Sequence, residues 1–379
     1  MLKRRTLCRA SLLAGAGLLP AIQLANAQSL NAKTKTQPYV AQIFDTSLSQ
    51  QDVSRDFMIG SRCAWQELQA NNKSNHFGIG HKSIEVDGNA ATLESTLNTL
   101  ASDPNCIALT GTVGQNTARW MAEALEKQSS APGNSLIQIA PWLHDGRAGF
   151  GSLRIFATQE AQIAHALKSL AVVGLKEVGV VFANAAEQRA YDFVLKRLAQ
   201  LNQLQIKPYV AQQGFYQLGA QLGQDTPAVL LFMSGTPELA QFSKGTGKAN
   251  RHRYAIGMAD INTQTLQQMG LGRNVPVVIT QVVPVITSAL PVVRDYRAAL
   301  SKFFDEPPSA LSLSGYISAK LTQRLLAQAN ARTRAQVAAL SKTQWQIDLG
   351  GYVVEYDGQQ LVKAYVTQSM VASDGRLIG

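Results

Sequence analysis

The chain has 379 residues, a formal net charge of +10 and 46% hydrophobic residues, with only three cysteines and five histidines. That length exceeds what one hydrophobic core usually organises, so two lobes are expected. So few cysteines exclude a disulfide framework, and a mild basic surplus spread along the chain is a solvated surface, with no nucleic-acid partner implied.

The first residues, "MLKRRTLCRASLLAGAGLLPAIQLANAQS", read as an export signal. Lys3, Arg4, Arg5 and Arg9 form a basic segment, Ala10 to Leu24 is a short apolar core, and Ala25-Asn26-Ala27 gives a small-x-small cleavage pattern. The apolar run is too short and Gly-broken to span a membrane. Arg4-Arg5-Thr6-Leu7 leaves the twin-arginine and general export routes equally open. Cleavage after Ala27 would remove four basic and no acidic residues, taking the net charge from +10 to +6. The expected location is the periplasm. Cys63, mid-helix, and Cys106, at a strand start, are either two buried thiols or one bridge.

From Pro38 strand and helix patterns alternate. "YVAQIF" reads as a strand and Ser49 to Asn71 as a helix with Phe57, Gly60, Ala64 and Leu68 on one face. "SIEVD" is a strand; Leu93, Leu97 and Leu100 mark a helix stopped by Asp103-Pro104. "CIALTG", a helix from Thr117 to Gln128 and "LIQIAP" follow. After "SLRIFA" the alternation resumes. Ile163, Leu167 and Leu170 mark a helix, "KEVGVVFA" a strand, and Tyr191, Val194, Leu195, Leu198 and Leu201 a long helix. "IKPYVAQ", "AVLLFM", a helix from near Pro237, "RYAIGM" and "VPVVITQVV" complete the series, with Gln212 to Thr226 read as a loop or a thin surface segment. Short apolar strands between helices imply parallel sheets covered on both faces, an α/β fold. Further on, Val292 to Asp305, Leu313 to Ala329 and Arg332 to Ser341 read as helices. "GGYVVEYD" and "LVKAYVTQSMV" read as a hairpin around Asp357-Gly358.

The most loaded phrase is "TGTVGQNT", Thr110 to Thr117, where a strand runs through a Gly-rich turn into a helix. Unpaired N–H groups at a helix start favour an anion, and loops at strand carboxyl ends are where open sheets bind ligands. Thr112, Gly114, Gln115, Asn116 and Thr117 are therefore candidate ligand contacts. The alternative is an ordinary N-cap in a tight turn. The spacing fits neither GxGxxG nor a P-loop, and "SKGTGKAN" at Ser243 to Asn250 lacks the first P-loop glycine. No GxSxG serine, HExxH or cysteine–histidine metal spacing is present, so no catalytic residue, metal or cofactor is assigned. Trp142 and His144, after the fourth strand, are candidates on the same rim; a core role for Trp142 is equally open. Across the presumed cleft, Asn184, Ser234 and Asp260 stand at strand ends. Asp260 is placed either to meet a ligand ammonium or to N-cap the next helix.

At this point the chain resembles the periplasmic solute-binding proteins of ABC importers, type I, in the branch of leucine/isoleucine/valine-binding proteins. The resemblance rests on "DGNAATLESTLNTLASDPNCIALTGTVGQNT" (87–117), "QIAPWLHDG" (138–146), "VVPVITSALPVVRDYRAAL" (282–300), "LSLSGYISAKLTQRLLAQA" (311–329) and "DLGGYVVEYDG" (348–358). It implies two Rossmann-like lobes joined by three crossovers near Gly151, Gln281 and Ala331. Residues 28–151 and 282–331 would form the first lobe, 152–281 and 332–379 the second. It also implies a ligand carboxylate gripped by Thr112 to Thr117 and Ala140 to His144. The implied role is capture of a small carboxylated or polar, amino-acid-like metabolite for an ABC permease. The alternative is a ligand-sensing subunit reporting to a membrane receptor. Two departures stand out: Trp142-Leu143-His144 replaces the Ser/Thr run expected after Pro141, and "ANAAEQRAY" the usual Asp/Tyr-Gly pattern.

Overall fold

The computed structural model describes residues 37–70, 78–128, 136–144, 146, 151–247, 253–269, 275–371 and 377–378. The export signal read at residues 1–27, and with it the cleavage after Ala27, lies outside the described residues.

The first lobe is built from β1 (Tyr39–Asp45), α1 (Gln51–Ala70), β2 (Gly80–Val86), α2 (Ala90–Ser102), β3 (Cys106–Thr110), α3 (Gln115–Gln128), β4 (Gln138–Ile139) and β5 (Ser152–Leu153). The strands form a sheet in the order β2-β1-β3-β4-β5, all neighbours parallel. Every residue of β1 is buried. A parallel strand with helices over both faces has no solvent side, which is why its sequence shows no apolar–polar alternation.

The second lobe takes α4 (Gln159–Val172), β6 (Glu177–Phe182), α5 (Ala185–Leu201), β7 (Gln205–Val210), α6 (Phe215–Ala220), β8 (Val229–Phe232), α7 (Thr236–Thr246), β9 (Tyr254–Gly257), α8 (Thr263–Gln268) and β10 (Val277–Gln281). The helix α6 occupies part of the stretch read from sequence as a loop or thin surface segment; its Gln- and Gly-rich composition hides the apolar anchors Phe215 and Leu218 that seat it on the core.

The chain then returns to the first lobe through α9 (Pro291–Phe303) and α10 (Ala310–Gln328). Helices α1 and α10 cross in backbone contact. A Cβ on Gly60 would lie 1.6 Å from Ser312 O, and one on Gly315 1.8 Å from Phe57 O, so only glycine allows the approach. Around this crossing Phe57, Tyr296, Tyr316 and Trp142 are all essentially solvent-free. They join Val40, Ile107 and Ile139 in one hydrophobic core.

The C-terminal segment holds α11 (Arg334–Ala339), β11 (Gln344–Asp348), β12 (Val353–Asp357), β13 (Thr367–Val371) and β14 (Leu377–Ile378). β12 pairs with β11 through a turn at Gly350 and Gly351, and the expected turn at Asp357-Gly358 is also present, with Leu361 bridging antiparallel to Tyr356 and Val362 N donating to Glu355 O at 2.9 Å. β13 instead pairs antiparallel with β10, giving a second sheet in the order β14-β13-β10-β9-β8-β6-β7. The third crossover differs from the expected one near Ala331. Arg334 donates to the carbonyls of Leu100, Ala101, Asp103 and Cys106, closing the C-terminal end of α2, and Ile347 and Val354 share the core of Val40. Residues 334–357, expected in the second lobe, therefore pack on the first, and the chain changes sheet between Asp357 and Thr367.

Cys63 and Cys106 are both buried free thiols. Burial pushes them up, Cys63 to about 12 and Cys106 to about 11, so neither is reactive at neutral pH.

Candidate functional site

The loop that attracted attention in the sequence is closed on itself. Val113 N donates to Ile43 O at 3.0 Å and its carbonyl accepts from Asp45 N at 3.1 Å, while Thr112 O accepts from Trp142 N at 2.8 Å. Its own chain supplies the carboxylate: Asp45, 2% exposed at the end of β1. Thr117 Oγ1 donates to Asp45 Oδ2 at 2.7 Å and Ser47 N to Oδ1 at 2.9 Å. Gly114, at φ +105°, is needed because a Cβ there would sit 2.4 Å from Asp45 Cβ. Thr112 is fully buried beneath this turn. Thr112, Gly114 and Thr117 thus build the scaffold of the rim and do not face the cleft.

Trp142 and His144 are also inside. Trp142 is 1% exposed and its ring packs edge-on against Phe156 at 5.0 Å and His144 at 4.4 Å. His144 Nδ1 meets the Ala157 carbonyl at 2.7 Å, so this nitrogen carries the proton. The Trp142 indole nevertheless reaches the other lobe: Nε1–H donates to Asp260 Oδ1 at 2.7 Å, with His144 Nε2 3.8 Å from the same oxygen. Asp260 therefore acts neither as a free carboxylate nor as a helix cap. The cap of α8 is Asn262, whose Oδ1 accepts from Gln264 N and Thr265 N. Gln162 on α4, which carries no sequence signal, accepts from Ala259 N at 2.9 Å through Oε1 and so fixes the backbone next to Asp260.

Asn184 is the N-cap of α5, accepting from Glu187 N at 2.9 Å while Glu187 accepts from Ala183 N at 2.7 Å. The Asn184 side chain thus caps the start of α5, and Glu187 ties back the residue before the cap.

Four of the sequence candidates do meet across a cleft of about 450 Å³: Gln115 and Asn116 from the first turn of α3, Ser234 from the loop after β8, and Asp260. Ser234 Oγ is buried and has no hydrogen-bond partner among the described residues. Sequence reasoning missed Gln50, Asp52 and Arg119 on the first-lobe wall and Tyr191, Phe215 and Glu238 on the second. Gln50 Oε1 accepts from Gln115 N at 3.1 Å, so it occupies one of the donors at the helix start. Burial raises the Asp52 and Glu187 carboxyls above their ordinary values, Glu187 further through repulsion from Glu238. Asp52, Glu187 and Glu238 stand in the first turns of α1, α5 and α7, where a carboxylate complements the helix dipole. Among the described residues no group of three or more His, Cys, Asp or Glu is arranged to hold a metal ion, and no helix is long and apolar enough to cross a membrane.

Two α/β lobes joined by three crossovers, with a polar cleft between the ends of their strands, define a two-lobed binding protein of type I architecture. Residues 39–375 match the family described as periplasmic binding protein. The chain belongs to this family, whose members are extracytoplasmic binding proteins rather than enzymes. Among solved structures it is similar to an extracellular ligand-binding receptor from Verminephrobacter eiseniae, at 16% identity and TM-score 0.78, over 90% of this chain and 100% of that one. A possible leucine/isoleucine/valine-binding protein from Rhodopirellula baltica matches at 18% identity and TM-score 0.73, over 90% and 96%. A substrate-binding periplasmic protein from Ralstonia solanacearum matches at 20% and 0.74, over 90% and 99%. At these identities the likeness is one of fold. No curated protein matches the chain significantly.

Proposed function

We propose that the protein is the solute-binding component of an ABC importer, exported to the periplasm by residues 1–27, and that it captures a small amino-acid-like metabolite between its lobes. The observation that carries this reading is the pairing of walls across the cleft. Gln115, Asn116 and Arg119 on α3 face Ser234 and Asp260 of the second lobe. A volume of about 450 Å³ suits a metabolite-sized ligand. In this reading the ligand carboxylate meets the α3 side chains, where the helix dipole adds to Arg119, and its ammonium meets the cleft-facing side of Asp260. Ser234 Oγ supplies a hydroxyl to whichever polar group lies between them.

The mechanism is a population shift. A ligand touching both walls binds the closed arrangement better than the open one, and the permease reads the closed form. Among the described residues, the lobes are taken as those of 37–153 with 282–357, and those of 154–281 with 367–371.

The test uses protein unfolded and refolded to strip any carried ligand, screened by thermal shift against amino acids, amides and small carboxylates. Selective binding to the folded state raises the melting temperature by mass action. A hit among amine-bearing carboxylates is expected; no hit across all three classes would contradict solute capture. Mass measurement of the exported protein should place its N-terminus at Gln28.

A further inference from the structure

Beside the cleft, the two lobes also meet through protein groups alone. Asp52 and Asp56 lie one turn apart on the same face of α1, and the loop running from Met258 to Asn262 covers them from the second lobe. Asn262 Nδ2 donates to Asp52 O and to Asp56 Oδ2, each at 3.3 Å. Asp56 Oδ2 also accepts from Ser309 Oγ at 2.8 Å. Asp56 is 5% exposed, and Asp52 Oδ2 is buried without a hydrogen-bond partner among the described residues. Asp52 Oδ1 accepts from Val53 N at 2.9 Å and Asp52 also bonds the Thr236 side chain, yet these contacts only partly offset the burial of two carboxylates four residues apart that also repel each other.

We propose that the Met258–Asn262 loop and the Asp52–Asp56 turn form a proton-coupled latch that closes the lobes independently of ligand. Closing withdraws both carboxylates from water, so the closed form takes up protons that the open form leaves in solution. Burial raises both carboxyls above their ordinary values. By linkage, the state that binds more protons is favoured as pH falls, so acid closes the latch and base loosens it. The other charged and titratable groups facing the seam set its sensitivity. Arg55 lies 3.7 Å from Asp56 but is engaged with Glu306 from the segment before α10. Asp260 adds negative charge near Asp52, and Tyr296 of α9 stays neutral beside Asp56, pushed up to about 12 by burial. His144 Nε2 lies 3.8 Å from Asp260 Oδ1 on the first-lobe side. The Asn262 side chain is the joint of the device, since the same amide caps α8 through its oxygen and spans the seam through its nitrogen.

The experiment is single-molecule energy transfer on ligand-stripped protein, with dyes on Asn98→Cys and Gln217→Cys, both exposed and on different lobes. Cys63 and Cys106 are buried and do not compete for label. The closed fraction should rise on the order of threefold from pH 8 to pH 5. In the double variant Asp52→Asn/Asp56→Asn it should be the same at both pH values. Asn262→Asp keeps the cap but sets a third carboxylate against the pair, so it should open the protein at pH 8 and partly re-close it at pH 5. A closed fraction independent of pH in the native sequence, or a pH response that survives in the double variant, would overturn the proposal. If Asn262→Asp does not fold, the double variant carries the test alone. No ligand enters the readout, so failure of the solute reading leaves this result unaffected.

Discussion

The indole N–H of Trp142, in the core of the first lobe, donates to Asp260 Oδ1 of the second lobe at 2.7 Å. One bond thus ties a buried aromatic cluster to a carboxylate that lines the cleft. Trp142→Phe keeps the ring packing and removes the donor. A hydrogen bond to a charged group contributes about 1.5–3 kcal/mol to stability, so the melting temperature should fall, and ligand affinity should fall with it because Asp260 is no longer held in place, as read by calorimetry. An unchanged affinity would place Trp142 in the scaffold alone. Trp142→Ala is a different experiment: emptying this site should cost about 3–5 kcal/mol of folding stability.

Asp260 has a side chain about one-third exposed, at 30%, and no core role of its own. Asp260→Asn should fold normally and lose affinity for amine-bearing ligands at least tenfold, while amine-free carboxylates bind as before. Titration of matched ligand pairs with and without the amine reads this directly. Equal losses for both members of a pair would dismiss the ammonium role.

Thr117 tests the corrected reading of the rim. Thr117→Val deletes the donor to Asp45 Oδ2 at a buried site, which should cost about 1–3 kcal/mol in denaturant unfolding. Ligand affinity should change less than twofold. A large loss of affinity with intact stability would restore the turn as a ligand cradle.

His81 stacks on Trp65 with ring centroids 4.8 Å apart, and its Nε2 lacks a partner among the described residues. Burial, and then the nearby Arg62, push it down to about 3. Below its ordinary value of about 6.5 the unfolded chain takes a proton that the folded chain refuses. Its contribution is therefore intact above pH 6.5 and lost progressively as pH falls toward 3. His81→Phe should flatten the acid limb of the stability–pH curve in that interval, measured by urea unfolding. A limb as steep as the native one would show that other groups govern acid unfolding.

Much of the fold was legible because parallel strands and amphipathic helices leave strong periodic marks; β1, β3, β6, β8 and β10 all fall on runs read as strands. The destination of the C-terminal segment was not legible. It depends on Arg334 reaching carbonyls more than two hundred residues away, and a lone arginine in a polar helix start carries no trace of that. The site was half legible. Gln115, Asn116, Ser234 and Asp260 do share the cleft. The Gly-rich turn was misassigned because Asp45, which fills it, looks from sequence like any residue ending a strand. Trp142 and Asp260 were each placed at a strand end, but the bond between them joins residues 118 positions apart and leaves no local pattern.

The central claim is that a small solute is held between the Gln115–Asn116 wall and the Ser234–Asp260 wall. Native mass spectrometry of the protein purified without unfolding, followed by titration of the released compound into refolded protein, tests it most directly. The account predicts one amine-bearing small molecule per chain, rebinding one to one, with affinity falling at least tenfold in both Asp260→Asn and Asn116→Ala. A compound that rebinds equally well to native protein and to both variants would contradict it.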